Sequence, residues 1–467
     1  MSTQTHITRE IADWSTDLTF DKVPPEARRI AKRCILDALG LIIVGARQEC
    51  TRIVMEHCLE SGGGEQATIF GEKQARVPAA SAAMVNATAG HSMDWDDTQL
   101  SSYPDRVFGL LTHPTIPAFT AALATAEKMG GVTGEQFITA FVAGFEVECK
   151  IAEAISPNHY KQGFHSSGTI GVFGAAAAVG KLIGLSPHQF RHLLGMAASM
   201  GSGIRVNFGT MTKPLHVGRA AHSGVTAALL AARGFEADPD ALDGPWGFFK
   251  VAGGGFDLDK IQRKLGNPFS IVDPGVSIKP YPCGSLTHPS IDAMLALVTE
   301  NDLKPEDIEK VVLYAGSNIL NPIRYETATN ELEAKFCMPF LMTAIILSRK
   351  AGVREFTDEF VNSPDVKAMM GRVKTQVDPE IEARGYDKML SRVEVNLKNG
   401  KKLVRESDER YRGGPDFPLS DAELQVKFTD CADHLFSAEK RQEIFETVAG
   451  LEKPGNFDRV LGLMKGK

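Results

Sequence analysis

Cysteine is scarce and scattered: seven residues in 467, at positions 34, 50, 58, 149, 283, 337 and 431, with no C-x-x-C pair. That spacing excludes a disulfide framework and a cysteine-based zinc site, and it fits thiols kept reduced in a cytosol. No charge-free apolar run reaches the about 18 residues expected of a membrane span, and Met1 to Asp13 has no signal-peptide core. Lysine and arginine total 51 against 58 acidic residues, and a net charge of -7 gives no electrostatic footprint for nucleic acid. The nucleotide signatures G-x-x-x-x-G-K-[ST] and G-x-G-x-x-G are missing, as is the G-x-S-x-G nucleophile elbow. The expectation is a cytoplasmic protein with no membrane and no nucleic-acid partner.

Glycine and alanine are abundant instead. At 467 residues, two domains are expected. Pro24-Pro25-Glu26 opens a helix through Ile43, and a second spans about Thr51 to Leu59. Ala67 to Gly71 is a short possible strand. From Pro78 to about Arg233 nearly everything is helical and rich in Ala and Gly, so its helices can approach closely. The texture changes after Gly253-Gly254-Gly255, which is read as part of a hinge. Val311 to Tyr314, Arg372 to Val377 and Ser391 to Leu397 alternate as strands, and Asn399-Gly400 marks a hairpin turn. Asp421 to Leu463 is helical again. The expected fold is mostly α: a large all-α helical domain built from both chain ends (1–270 and 413–467) with a smaller α+β lid domain (271–412).

The chemistry concentrates in His91-Ser-Met-Asp94-Trp-Asp96-Asp97-Thr98, followed after a loop by Thr112-His113-Pro114. Three acids within four positions repel one another unless cations, protons or hydrogen-bond donors offset them, and a carboxylate held beside an imidazole can act as a general base. Four further segments carry ionisable groups beside Gly or Pro: Gly163-Phe-His165-Ser-Ser, Thr212-Lys213-Pro-Leu-His216-Val-Gly-Arg219, Lys279-Pro-Tyr281-Pro-Cys283-Gly…Thr287-His288-Pro, and Asn321 to Tyr325. Lys213 opens a helix, where a cation opposes the helix dipole, and so suits an anion. His216 and Arg219 lie three apart on that helix. The set suits a small polyanion that loses a proton to a base while lysines offset the charge. A metal is not expected, because Asp94, Asp96 and Asp97 are near neighbours with no H-x-x-E-type partner. Asp94-Trp-Asp96-Asp97 also matches the D-x-D-D acid of terpene cyclases, a reading that three tryptophans and a strand-rich second part disfavour.

Through these five ordered motifs, between residues 91 and 290, the chain resembles the MmgE/PrpD family of 2-methylcitrate dehydratases, cis-aconitate decarboxylases and an iminodisuccinate epimerase. The resemblance implies a helical domain, an α+β lid, a homodimer, catalysis without a cofactor and a site between the domains. Carried over by motif, Asp94, His113, Lys213 and His165 are its catalytic candidates. Thr98 and Lys279 also match family site positions, and His216, Arg219, Tyr281 and His288 join them as substrate-binding candidates. The sequence departs from the decarboxylase pattern in two places: Gly284 stands where those members carry a histidine, and the loop Gln99 to Leu111, with Tyr103, Asp105 and Arg106, is longer. The reaction expected first is elimination of water from a 2-methylcitrate-like polycarboxylate. Epimerisation of a dicarboxylate such as iminodisuccinate, cis-aconitate-type decarboxylation, and a catalytically silent polycarboxylate-binding homodimer are the alternatives.

Overall fold

The computed structural model describes residues 6–99, 112–385, 388–408 and 410–465. The chain is mostly α. Its interior is built on the helices Pro25–Gly45, Ala79–Ser92, Thr115–Met129, Gly134–Ile155, Gly171–Leu182 and Thr212–Ala231. Small residues permit this packing. A Cβ added at Gly218 would lie 2.2 Å from Thr88 Oγ1, and one at Gly144 would lie 2.4 Å from the Gly174 carbonyl. Side chains larger than glycine at these crossings would force the helices apart.

The helical part is not wholly α. Strands β1 (Ala67–Ile69) and β2 (Ala75–Val77) form an antiparallel ribbon. Helix side chains satisfy its backbone: Glu127 accepts from Thr68 N, and Asn86 bridges Phe70 N and the Thr68 carbonyl. The expectation of an all-α domain is corrected to this extent.

Four more strands form a second sheet in the order β4-β3-β5-β6: β3 is Ile308–Ala315, β4 Val373–Val377, β5 Ser391–Leu397 and β6 Lys402–Glu406. β4 runs parallel to β3, while β5 is antiparallel to it and forms a hairpin with β6 across Asn399-Gly400. β5 alternates buried and half-buried residues, as expected of a strand with one face under the His288–Glu300 helix, while Met338–Ser348 packs on β4.

Buried apolar side chains fall into two main clusters. One runs from Ile7 to Ile278 and resumes from Leu419 to Met464. The other spans Tyr281 to Leu397 and takes in Leu41, Val44, Met93, Trp95, Phe208 and Cys431 from the helical part. Gly253 is packed within the helical part, its added Cβ lying 2.4 Å from the Phe249 carbonyl and 2.7 Å from Ile155. The change of cluster falls instead near residues 278–281 and before 419. The loop carrying Tyr103, Asp105 and Arg106 lies outside the described residues.

Candidate active site

The Ala79–Ser92 helix is buried almost all round, and it ends where the motif begins. Its last carbonyls and those of the following turn cannot reach water, so each needs a donor. Lys335 Nζ donates to the Ser92 carbonyl at 3.2 Å, Lys279 Nζ to Asp94 at 2.9 Å and Lys427 Nζ to Trp95 at 2.8 Å. His113 Nδ1 takes the Asp97 carbonyl at 2.8 Å, and Thr98 exchanges two backbone bonds with Ser277. Three lysines from three distant segments thus hold one short turn. Within it Asp94 adopts φ 51°, a left-handed conformation that Asp tolerates better than most side chains.

Asp94 Oδ1 accepts from two buried ammonium groups, Lys213 at 3.0 Å and Lys279 at 2.9 Å, while Oδ2 is buried without a hydrogen-bond partner. Burial alone would raise the Asp94 pKa, but Lys213 and then Lys279 more than offset it and hold the carboxyl well below its ordinary range. Burial lowers the pKa of Lys213, with Asp94 opposing. Lys213 Nζ also reaches His91 Nε2 at 2.9 Å, and His91 Nδ1 lies 2.8 Å from Asp96 Oδ2. His91 therefore uses Nε2 as acceptor and donates its Nδ1 proton to Asp96. Burial pushes the His113 pKa down to about 3 against the pull of Asp96, so this imidazole is neutral. With Nδ1–H on the Asp97 carbonyl, Nε2 carries the lone pair.

Asp97 differs from its neighbours. Burial, with Asp96 and Asp37 adding to it and the Thr115 hydroxyl opposing, lifts its pKa to about 7. Thr115 Oγ1 donates to its Oδ2 at 2.5 Å and Thr115 N to Oδ1 at 3.3 Å, so Asp97 seats the start of the Thr115–Met129 helix. The three adjacent acids are thus divided by environment: Asp94 and Asp96 ionised, Asp97 titrating near neutrality.

Asp94, His113, Lys213 and Lys279 line an internal cavity of about 30 Å³, together with Tyr160, Phe208, Ser285, Phe336 and the backbone of Gly284. The other candidates stand at greater remove. His165 packs its ring against His91 and shares a 3.0 Å contact with His216, and Thr98 reaches the cavity wall through Ser285 Oγ at 2.8 Å. Tyr281 donates to Asp292 at 2.6 Å and packs edge-on against His288, neither of them on the wall. Arg219 is exposed on its helix while His216 is buried, and neither lines the cavity. Of the wall residues, sequence reasoning missed Tyr160, Phe208, Ser285 and Phe336, and it gave no role to His91 or Asp96. The acid-rich motif itself pointed to the last two; aromatic wall residues carry no such signal.

Among the described residues, His91, Asp96 and His113 place ligand atoms within 4.8 Å of one another. Their facing atoms are already spent on each other and on the Asp97 carbonyl, and the Lys213 ammonium lies against His91. A divalent cation would have to break these bonds beside a like charge.

Residues 9–261 match the MmgE/PrpD N-terminal domain, and residues 281–453 match the MmgE/PrpD C-terminal domain. The chain belongs to the MmgE/PrpD family. Human (Homo sapiens) cis-aconitate decarboxylase is 29% identical over 448 residues, covering 93% of this chain and 90% of the relative. The Mus musculus protein of the same name is also 29% identical, over 94% of this chain and 89% of its own. A cis-aconitate decarboxylase of Aspergillus terreus is 25% identical, over 98% and 96%. The match to the MmgE/PrpD family therefore runs through both clusters of the fold and includes Asp94, His113 and Lys213 of the cavity wall, while Lys279 falls in the short stretch between the two matched segments.

Proposed function

We propose that this chain is a cofactor-independent MmgE/PrpD lyase that removes a proton next to a carboxylate and eliminates water from a 2-methylcitrate-like polycarboxylate. The observation that carries the reading is Asp94, an ionised carboxylate with one oxygen on two buried ammonium groups and the other unpartnered. Substrate carboxylates entering the cavity compete for Lys213 and Lys279. As they draw the ammonium groups away, Asp94 loses the interactions that depress its pKa and becomes a stronger base. Asp94 Oδ2 then takes the proton on the carbon beside the substrate carboxylate. The C–H electron pair forms the new double bond, and the β-hydroxyl leaves as water with a proton from Lys213, whose ammonium burial has already made more acidic. His113 Nε2 orients that hydroxyl, and Lys279 offsets the charge that develops on the substrate carboxylate. His165, behind His91, positions the imidazole layer. The reading calls on no cofactor because these two lysines supply the positive charge.

The proposal includes a homodimer, a cytoplasmic location, and two domains (1–270 with 413–467, and 271–412) that meet at the cavity. The second reading is decarboxylation, favoured by the names of the relatives. Against it stands Gly284 on the cavity wall, where a Cβ would lie 2.8 Å from Ile323 Cδ1, so a histidine does not fit without displacing that side chain.

Proton NMR in deuterated buffer with chelator tests the choice, using 2-methylcitrate, citrate, cis-aconitate and iminodisuccinate separately. Loss of water from 2-methylcitrate is the expected result. Loss of carbon dioxide from cis-aconitate would replace it with the second reading, and turnover only after adding Mg²⁺ would sink cofactor independence.

A further inference from the structure

Outside the buried site lies a second, open cavity of about 560 Å³. It shares three wall residues with the inner one, Tyr160, Phe208 and Pro322, so a single layer of side chains separates them. Among the described residues its lining holds no acidic side chain and includes Lys161, Arg205 and Arg324. Arg205 lies 4.0 Å over the Tyr160 ring, and its Nε is buried without a hydrogen-bond partner. Arg324 donates through Nη2 to the Phe208 carbonyl at 2.9 Å and to the Val206 carbonyl at 3.3 Å, which fixes its guanidinium on the cavity wall. Among the described residues, the hydrogen bonds of Arg324 go to these two carbonyls and to the Tyr325 hydroxyl. The inner cavity of about 30 Å³ is too small for a polycarboxylate as it stands, and Tyr160, Phe208 and Pro322 are the wall it shares with the open cavity.

We infer that the outer cavity is the entry vestibule of the buried site, and that Arg205 and Arg324 form a docking subsite for one carboxylate of the incoming polyanion. The inference rests on the reading of the inner cavity as a polycarboxylate site. The two arginines attract anions to this wall, and the Arg205 Nε supplies a fixed, desolvated donor that a carboxylate can take. Because Arg205 stacks on Tyr160, a ligand that engages the guanidinium loosens the layer barring the inner cavity. Docking and admission are thereby coupled through one side chain.

Two measurements test this. In steady-state kinetics on the polycarboxylate that the chain turns over, Arg205→Gln raises KM about tenfold, the weight of one charge-assisted hydrogen bond, while kcat stays within about twofold. Arg205→Lys recovers part of the loss. A fall in kcat at unchanged KM overturns the subsite. The second measurement needs no turnover. All seven native cysteines are buried, so Asn321→Cys places a single accessible thiol in the vestibule. Citrate at ten times its Kd slows iodoacetamide alkylation of that thiol roughly tenfold, and adding Arg205→Gln with Arg324→Gln abolishes the protection. Equal protection with and without the arginines, or none at all, overturns the proposal. Protection without turnover of any polycarboxylate leaves the vestibule standing and removes the lyase reading; turnover without protection does the reverse.

Discussion

In the proposed reaction Asp94 is the base, and its backbone makes a clean test available. At φ 51°, asparagine is tolerated as well as aspartate, so Asp94→Asn keeps the turn while removing the base. Turnover should fall by about 10²–10⁴, the range for loss of a general base, with the fold intact by circular dichroism. Near-normal turnover would transfer the proton-abstracting role to His113. Asp97 supports a different prediction. Its folded pKa is raised to about 7, well above the usual carboxylate value. The folded state therefore binds the proton more tightly, and the stability this confers is full below about pH 4 and is lost as pH rises through about 7. Over that window the cost reaches up to about 1.4 kcal/mol per pH unit. Asp97→Asn keeps an acceptor for Thr115 and removes the titration, so urea midpoints at pH 5 and pH 8 should converge relative to the parent. An unchanged difference between the two would show that Asp97 does not titrate there.

At the level of elements, local pattern and long-range pairing were unequally legible. Alternation at Ser391 to Leu397 and the Asn399-Gly400 turn placed the β5–β6 hairpin, because side-chain period and turn chemistry are local properties. The Ala/Gly-rich helices were legible for the same reason. The lysines that clamp the 92–95 carbonyls were not, since Lys279, Lys335 and Lys427 lie 185, 243 and 332 residues from their acceptors and only the fold brings them together. Cavity-wall residues embedded in motifs, such as Asp94 and Lys213, stood out by charge near glycine or proline, whereas Tyr160 and Phe208 look like any core aromatic. Arg219 shares a helix face with His216 by spacing, yet its side chain is exposed while His216 is buried, a difference set by what packs on the helix rather than by its period. The clamp is testable at Lys427, which also pairs with buried Asp37 at 2.7 Å. Lys427→Met strands that carboxylate and frees the Trp95 carbonyl, so it should cost about 3–5 kcal/mol in urea unfolding. Adding Asp37→Asn should recover most of that loss but not the activity, because the turn bearing Asp94 remains unclamped. Full recovery of turnover in the double variant would count against the clamp.

On the scale of the whole molecule, the helical body is closed by its own C-terminus. Ten large buried side chains between Leu419 and Met464 belong to the same apolar cluster as the N-terminal helices. Phe428 fits so closely that a Cβ on Gly40 would lie 2.9 Å from its ring. The Asp421–Ala432 helix packs along Pro25–Gly45 and delivers Lys427 to Asp37 and Trp95. At about 1.5–3 kcal/mol per large side chain, this segment contributes more than the about 5–15 kcal/mol net stability of a typical domain. A chain ending at residue 418 should therefore keep helix by far-ultraviolet circular dichroism yet lose its near-ultraviolet signal, bind a hydrophobic dye and show no turnover. Supplying residues 413–467 as a separate polypeptide should restore packing, since the segment joins the body through side-chain contacts as well as through the covalent link. A truncated chain that unfolds cooperatively and remains active would mean that residues 6–418 complete a core by themselves, and that the two chain ends do not form one folding unit.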